Sequence, residues 1–167
     1  QYVCFNARDS NYLKKTFPKH NFDYHNYRDS KIESYAQSVD YLSKLDIKTL
    51  RMGKEIKNNL LINDNNFFEY SNSKFQTDFA DVYLLSHCKF MISSDCGITI
   101  IPELFRIPIV YTNWTLLWRI SRWNLNGIII FKKLYSRTDN RYLKFEEMIN
   151  INFSNQKNLL KYNVEWI

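Results

Sequence analysis

Short apolar runs recur along the chain, with enough residues between them for helices and loops. Each run is about five residues long and is bounded by polar or turn-forming residues, which is typical of a buried strand. Because the runs are too short for ordinary helices, we predict six strands. They are Tyr2–Asn6, Ile47–Met52, Phe67–Tyr70, Lys89–Ser93, Pro108–Thr112 and Gly127–Phe131.

Helical spacing of apolar side chains predicts the connections between these strands. After Ser30, which forms a capping-box pattern with Glu33, apolar residues recur at helical spacing as far as Leu45. Asp78–Cys88 shows a similar spacing, and its acidic first turn suits a helix N-terminus. The remaining predictions are helices at Ile98–Phe105 and Phe145–Ile149, a helix or turn at Glu55–Ile62, a long loop over residues 11–30 and loose packing after Ile151.

Strands that alternate with helices predict an α/β fold. We expect a Rossmann-like, doubly wound, mostly parallel six-stranded sheet in one domain spanning residues 1–167. The chain lacks GxGxxG, GxxxxGK[ST] and GxSxG, which argues against an ordinary dinucleotide binder, a P-loop NTPase or an α/β-hydrolase. Because the chain starts at Gln1 and enters a strand at Tyr2, we expect a fragment of a larger two-domain chain.

Composition narrows the class of partner. The hydrophobic fraction of 45% argues against disorder. A net charge of +6 favours an anionic partner, whether a nucleotide, a nucleic acid or an acidic membrane face. Cys4, Cys88 and Cys96 are scattered and form no CxxC pair, so we predict no metal site and no disulfide framework. A reducing, cytoplasmic setting follows from this cysteine usage.

Arginines stand beside the carboxyl ends of two predicted strands. Arg8 follows the first strand, and Arg51 lies near the end of the second. A guanidinium can bind phosphate through two parallel hydrogen bonds. The alternative for Arg8 is a surface ion pair with Asp9, which contributes little energy. The Arg-Asp-Ser triplet that begins at Arg8 is repeated at Arg28.

The turn after the fourth strand is a second candidate site. Ser93, Ser94 and Gly97 lie between a strand and a predicted helix, where hydroxyl and backbone N–H groups can bind phosphate. The alternative is a tight strand–helix connection capped by Ser94 or Asp95. In the long loop, His25 could act as an acid or base, although a lone loop histidine is more often a surface group.

An aromatic and basic stretch, Thr115–Asn126, follows the fifth strand. With the preceding Trp114 it provides three tryptophans and two arginines within a few residues. These side chains predict either a surface that stacks on a flat ring or a surface that meets a missing domain.

Four ordered motifs resemble a family of bacterial glycosyltransferases of the GT-B type. They are CFNARDSNYL, HNYRDSKIESY, LRMGK and DFADVYLLSHCKFMISSDCGITIIPELFRIPIVYTNW, and the resemblance spans roughly residues 2–150. A more distant similarity is to fucosyltransferases whose first motif is a strand ending in His-x-Arg-Arg. In this chain Asn6 and Asp9 replace the histidine and the second arginine.

The resemblance implies the C-terminal, donor-binding half of a two-domain enzyme. The implied substrates are a nucleotide-sugar donor and a glycan or lipid-linked acceptor in surface polysaccharide synthesis, with no cofactor and no bound metal. A missing N-terminal domain is the implied partner, and peripheral association with the inner membrane face is a further expectation. The implied roles are Arg8, Ser93, Ser94, Gly97 and Ile98 on the donor diphosphate, Glu103 on the ribose, and Arg28 and Arg51 along the cleft.

Two other functions compete with this hypothesis. A GT-B-like sugar-nucleotide epimerase would bind the same nucleotide but release free sugar products. A nucleic-acid-binding module would use the positive charge and the aromatic residues. The 17 acidic residues are interspersed with the basic ones, so no basic stripe is visible, and we predict no nucleic-acid partner.

Overall fold

A six-stranded sheet forms the centre of the protein in the computed structural model. The structure describes residues 1–115, 126–150 and 156–167, without the side chains of residues 156–158. All six strands are parallel, which confirms the α/β class and each of the six predicted strands. They are β1 (Tyr2–Asn6), β2 (Lys48–Arg51), β3 (Phe67–Glu69), β4 (Met91–Ser94), β5 (Ile109–Trp114) and β6 (Ile128–Phe131).

The strand order is β3-β2-β1-β4-β5-β6. This is the order of the nucleotide-binding α/β sheets, in which the direction of winding reverses between the first and fourth strands. In the register, Cys4 of β1 lies between Leu50 of β2 and Met91 of β4. The carboxyl ends of β1 and β4 therefore lie side by side at the point of reversal, where ligands bind in such sheets.

Two hydrophobic clusters cover opposite faces of the sheet, because Cys4 and Phe5 are successive strand residues and point to opposite sides. The Cys4 cluster includes Leu85 and Met91, and the Phe5 cluster includes Val39. The helix α2 (Ala36–Lys44) packs on the Phe5 face, and α3 (Asp78–His87) and α4 (Ile100–Leu104) pack on the Cys4 face. The remaining described helices are α1 (Asn11–Thr16), α5 (Phe145–Asn150) and α6 (Gln156–Lys161).

The predicted helix Asp78–Cys88 is confirmed as α3. Thr77 caps it, since the Thr77 hydroxyl accepts a hydrogen bond of 3.1 Å from the Ala80 backbone N–H. The capping box at Ser30 is wrong, because the chain first forms a 3₁₀ helix, Ile32–Tyr35, without a side-chain cap, and α2 begins only after it.

The long loop predicted over residues 11–30 is also wrong. It contains α1 and a 3₁₀ helix, Asp23–Arg28, and neither has a buried residue. With no buried face, these helices leave no apolar period in the sequence. Residues 55–62 form an irregular loop with bends at Glu55, Lys57 and Asn58, and not the predicted helix or turn.

A second, antiparallel sheet was not predicted. It has the order β8-β7-β9, from β7 (Leu134–Ser136), β8 (Arg141–Tyr142) and β9 (Val164–Trp166). These strands are too short to give a pattern in the sequence. Leu134, Met148, Leu159 and Val164 form its core, so the end of the chain is packed and not loose.

The predicted aromatic surface is described only in part. Trp114 is buried and packs edge-on against Tyr111, with ring centroids 5.0 Å apart, so it is a core residue. Residues 116–125 lie outside the described part of the chain. Among the described helices, none is long and apolar enough to cross a membrane.

Candidate functional site

A cleft of about 440 Å³ lies at the carboxyl ends of β1 and β4. Its floor is the chain that leaves β1, from Asn6 to Asp9, and one wall is the turn that follows β4. Four predicted site residues, Arg8, Arg28, Gly97 and Ile98, line it. The other lining residues are Asn6, Ala7, Asp9, Tyr12, Leu13, Gly53, Lys54, Ile56, Asp81 and Cys96.

Arg8 is fixed at the floor of this cleft. Its backbone N–H donates a hydrogen bond of 2.7 Å to the Ser94 hydroxyl, which joins the ends of β1 and β4. The Arg8 side chain is 7% exposed, and its Nη1 forms an ion pair with Asp29 and donates to the His25 carbonyl. Nη2 is buried and has no hydrogen-bond partner among the described residues. The guanidinium is therefore only partly satisfied.

The Arg8–Asp29 pair is dominated by desolvation. Burial lowers the pKa of Arg8 and raises the pKa of Asp29, although the attraction between the two charges opposes both shifts. The Lys132 amine also binds the backbone next to this pair. It donates hydrogen bonds to the Tyr27 carbonyl at 2.8 Å and to the Asp29 carbonyl at 3.0 Å. Burial lowers the pKa of Lys132 as well.

Arg28 reaches the cleft from the 3₁₀ helix Asp23–Arg28. Its Nη1 lies 3.7 Å from an Asp95 carboxylate oxygen, and both side chains are largely buried. The two Arg-Asp-Ser triplets are joined as well, because the Ser30 backbone N–H donates to the Arg8 carbonyl at 2.9 Å. Both arginines that line the cleft are thus paired with an aspartate.

Ser93 and Ser94 lie beneath the cleft and do not line it. Both are fully buried. The Ser93 hydroxyl donates to the Ser94 carbonyl at 3.1 Å, and the Ser94 hydroxyl accepts from Arg8. Neither Ser94 nor Asp95 caps the next helix, whose N-cap is Cys96 without a side-chain bond. In this structure the two serines shape the floor of the cleft.

Cys96, in the turn that follows β4, lines the cleft. Its sulfur accepts a hydrogen bond of 3.0 Å from the Asn6 amide and lies 3.4 Å from the Ser93 hydroxyl. Burial raises the pKa of the Cys96 thiol, although the hydrogen bonds from Ser93, Asn6 and the Ile98 backbone oppose this shift. Sequence reasoning treated Cys96 only as a scattered cysteine and did not place it in the site.

The glycine that the cleft requires is Gly53 and not Gly97. Gly53 has a φ of +133°, and a Cβ there would lie 3.0 Å from the Asn6 side-chain oxygen and 3.2 Å from Ile56. A Cβ on Gly97 would meet nothing within 4 Å. The signal for Gly53 was present in the sequence, since a glycine follows directly after the second predicted strand run, Ile47–Met52.

Two predicted residues lie away from the described lining of the cleft. Arg51 is 1% exposed, donates to the Asn58 carbonyl at 2.6 Å and forms an ion pair of 3.0 Å with Glu69, so it holds the loop after β2. Glu103 accepts a hydrogen bond of 2.7 Å from the Tyr111 hydroxyl beneath α4. The expectations that Arg51 lines the cleft and that Glu103 faces a ribose there do not match this geometry.

The backbone carbonyl of His25 accepts a hydrogen bond from Arg8, and the His25 ring packs against other aromatic rings. The ring packs against Tyr24, with centroids 4.0 Å apart, and stacks against Phe22. His25 is not among the described residues that line the cleft. No group of three or more His, Cys, Asp or Glu side chains arranged to hold a metal ion is found in the described ranges.

Comparison with known proteins gives no further guide to this site. No protein-family model, curated protein or solved structure matches the chain.

Proposed function

We propose that this chain is the nucleotide-sugar-binding domain of a GT-B-type glycosyltransferase that acts in surface polysaccharide synthesis. The observation that carries the proposal is the position of the cleft. It opens at the carboxyl ends of β1 and β4, where the strand order reverses and where α/β sheets of this order bind nucleotides. A volume of about 440 Å³ is in the range of small-ligand sites.

The donor diphosphate is the part of the ligand that the floor of the cleft suits best. A guanidinium has five N–H donors, and the Nη2 of Arg8 has no partner among the described residues. Arg28 adds a second positive charge, and Gly97 and Ile98 line the wall beside it. In a transferase, these groups would stabilise the charge that develops on the leaving nucleoside diphosphate.

The rest of the proposed enzyme lies beyond this cleft. In this proposal a second α/β domain supplies the acceptor site and the catalytic base, the acceptor is a glycan or lipid-linked sugar, and the setting is cytoplasmic. The present chain binds the donor and gives little turnover by itself. No metal or cofactor takes part in the proposed reaction.

Thermal unfolding with a panel of UDP-, GDP- and CMP-sugars and nucleoside diphosphates tests the proposal. A ligand at a hundred times its Kd adds about 2.7 kcal/mol to the unfolding free energy, which raises Tm by roughly 5–10 °C in a chain of this size. Arg8→Gln and Arg28→Gln should remove the shift. The matched control is Arg137→Gln, on the exposed surface of the second sheet.

The proposal fails if no nucleotide raises Tm in the folded wild-type protein, or if Arg8→Gln and Arg28→Gln respond as Arg137→Gln does. Circular dichroism of each variant establishes that it is folded before ligand is added. Product analysis with the complete enzyme separates the transferase, which forms a new glycosidic bond, from an epimerase, which releases free sugar.

A further inference from the structure

The segment between β1 and the second 3₁₀ helix, Ile32–Tyr35, is unusual for its exposed aromatic side chains. From Asn11 to Tyr24 no residue is buried, although the segment contains Tyr12, Leu13, Phe17 and Phe22. Phe17 is 44% exposed and Tyr24 is 52% exposed. We call residues 11–25 the aromatic–lysine segment.

The aromatic rings of this segment pack against one another and not against the hydrophobic core. Phe22 is at the centre, with ring centroids 5.9 Å from Phe17, 6.0 Å from His20, 6.3 Å from Tyr24 and 6.4 Å from His25. The cluster forms part of the protein surface, where it leaves apolar area in water. Apolar area that is grouped in this way marks an interaction surface more often than scattered residues do.

The charge of the same segment is positive. Residues 11–25 contain three Lys and one Asp, so their net charge is 3 − 1 = +2. Lys14, Lys15 and Lys19 are exposed, and Lys14 and Lys15 also form exposed ion pairs with Asp23 and Glu55, which headgroups would have to compete with. Lysines interspersed with aromatic rings match the boundary of an anionic lipid bilayer, which offers negative headgroups beside apolar chains.

We infer that the aromatic–lysine segment docks the protein on the anionic surface of a lipid bilayer. Phe17 and Tyr24 enter the headgroup boundary, and Lys14 and Lys19 lie against the headgroups. Tyr12 and Leu13 also line the cleft, so docking through this segment brings the cleft next to the membrane. If the proposed function is right, a lipid-linked acceptor is then within reach.

Another exposed apolar surface provides a matched control. Phe79 and Tyr83 on α3 are stacked on each other, at a centroid distance of 6.1 Å, and are 79% and 51% exposed. That helix carries Asp78 and Asp81 in its first turn, so its surroundings are acidic. The pair F17A/Y24A and the pair F79A/Y83A therefore remove the same side chains from surfaces of opposite charge.

Co-sedimentation of the 167-residue chain with vesicles tests the inference. The wild type should bind vesicles of phosphatidylcholine with one-third phosphatidylglycerol, bind pure phosphatidylcholine much less, and dissociate as salt is raised. F17A/Y24A should weaken binding at least tenfold, while F79A/Y83A should leave it unchanged. K14Q/K19Q should weaken it roughly twentyfold, from about fivefold for each lysine near an anionic surface.

The inference is overturned if the wild type does not bind anionic vesicles, if it binds neutral vesicles equally well, or if the two aromatic pairs of variants lose binding to the same extent. Binding of a single-stranded RNA through this segment, without vesicle binding, would also overturn it in favour of a nucleic-acid partner. Nucleotide binding is measured separately, so its failure would count against the proposed function without changing the vesicle result.

Discussion

The substitution Asp29→Asn tests how the charge beside Arg8 affects phosphate binding, because it removes a negative charge and nearly preserves the side-chain volume. Asp29 pairs with Arg8, so an incoming phosphate must compete with this carboxylate for the guanidinium. Asparagine has nearly the same volume and can still accept a hydrogen bond from Nη1 of Arg8. The change therefore removes one negative charge from beside the guanidinium and leaves the packing close to that of the wild type.

The size of the effect follows from the charges. A carboxylate about 6 Å from a phosphate repels it by about 2–3 kcal/mol at an effective dielectric constant of about 20, which is about a thirty- to hundredfold change in affinity. We take this separation as the assumption for Asp29 and a phosphate bound at Arg8. The same substitution leaves the partly buried Arg8 without its counter-ion. Because burial disfavours the ionised Asp29 carboxylate more than Arg8 favours it, we expect the free energy of unfolding at neutral pH to stay within about 1 kcal/mol of the wild type.

Burial raises the pKa of Asp29 in the folded protein, so this carboxyl favours folding most below its ordinary pKa. Its contribution is lost as the pH rises through the raised value. In Asp29→Asn this part of the pH dependence of unfolding should disappear. Urea unfolding of both proteins from about pH 3 to about pH 7, a range that brackets a carboxyl pKa, measures this difference in pH dependence.

Isothermal titration with pyrophosphate at neutral pH measures the affinity directly. Asp29→Asn should bind pyrophosphate thirty- to a hundredfold more tightly than the wild type, and Asp29→Asn combined with Arg8→Gln should lose the gain. The control is Asp40→Asn, which removes a similar charge from an exposed pair with Lys44 on α2. Equal affinity of Asp29→Asn and the wild type, or a gain that survives loss of Arg8, would refute the reasoning.

Three further predictions follow from single residues. Gly53→Ala should lower the free energy of unfolding by about 1–3 kcal/mol and weaken ligand binding, because it strains a positive φ and crowds the floor of the cleft. In a urea titration, Gly97→Ala should change the free energy of unfolding by less than about 0.5 kcal/mol. Arg51→Met should lower the free energy of unfolding by about 3 kcal/mol and leave the affinity for pyrophosphate unchanged. A loss of affinity as large as that of Arg8→Gln would contradict the structural role of Arg51. Hydrogen bonds from Arg141 and from the Lys144 backbone N–H lower the pKa of Glu147 to about 2, so the carboxyl ¹³C signal of Glu147 should titrate near pH 2 in the wild type and at a higher pH in Arg141→Gln.

Most of the central sheet could be predicted from the sequence because its central strands are largely buried on both faces. Such strands appear as short apolar runs, and each prediction lies within a few residues of the observed strand. β1 is found at the predicted bounds, Tyr2–Asn6. The helix α1 could not be found in the same way, since none of its residues is buried and no period marks it.

The sequence predicts which residues lie at the cleft when their place after a strand decides it. It does not predict in which direction their side chains point. Arg8 and Gly97 follow strands β1 and β4, which lie side by side, and both residues line the cleft. Arg51 also ends a strand, but the register places Glu69 directly beside it on β3 and the two pair. Strand register depends on the whole sheet, so this cross-strand pair is not visible in a sequence.

The central claim is that a diphosphate binds at the carboxyl ends of β1 and β4. Backbone NMR of the ¹⁵N-labelled chain during titration with UDP and GDP tests it most directly. We predict that one nucleotide shifts the amide signals of Arg8, Gly97 and Ile98 in a saturable manner and leaves the second sheet unchanged. No saturable shift with either nucleotide, or shifts confined to residues around Glu103 or the second sheet, would contradict the account.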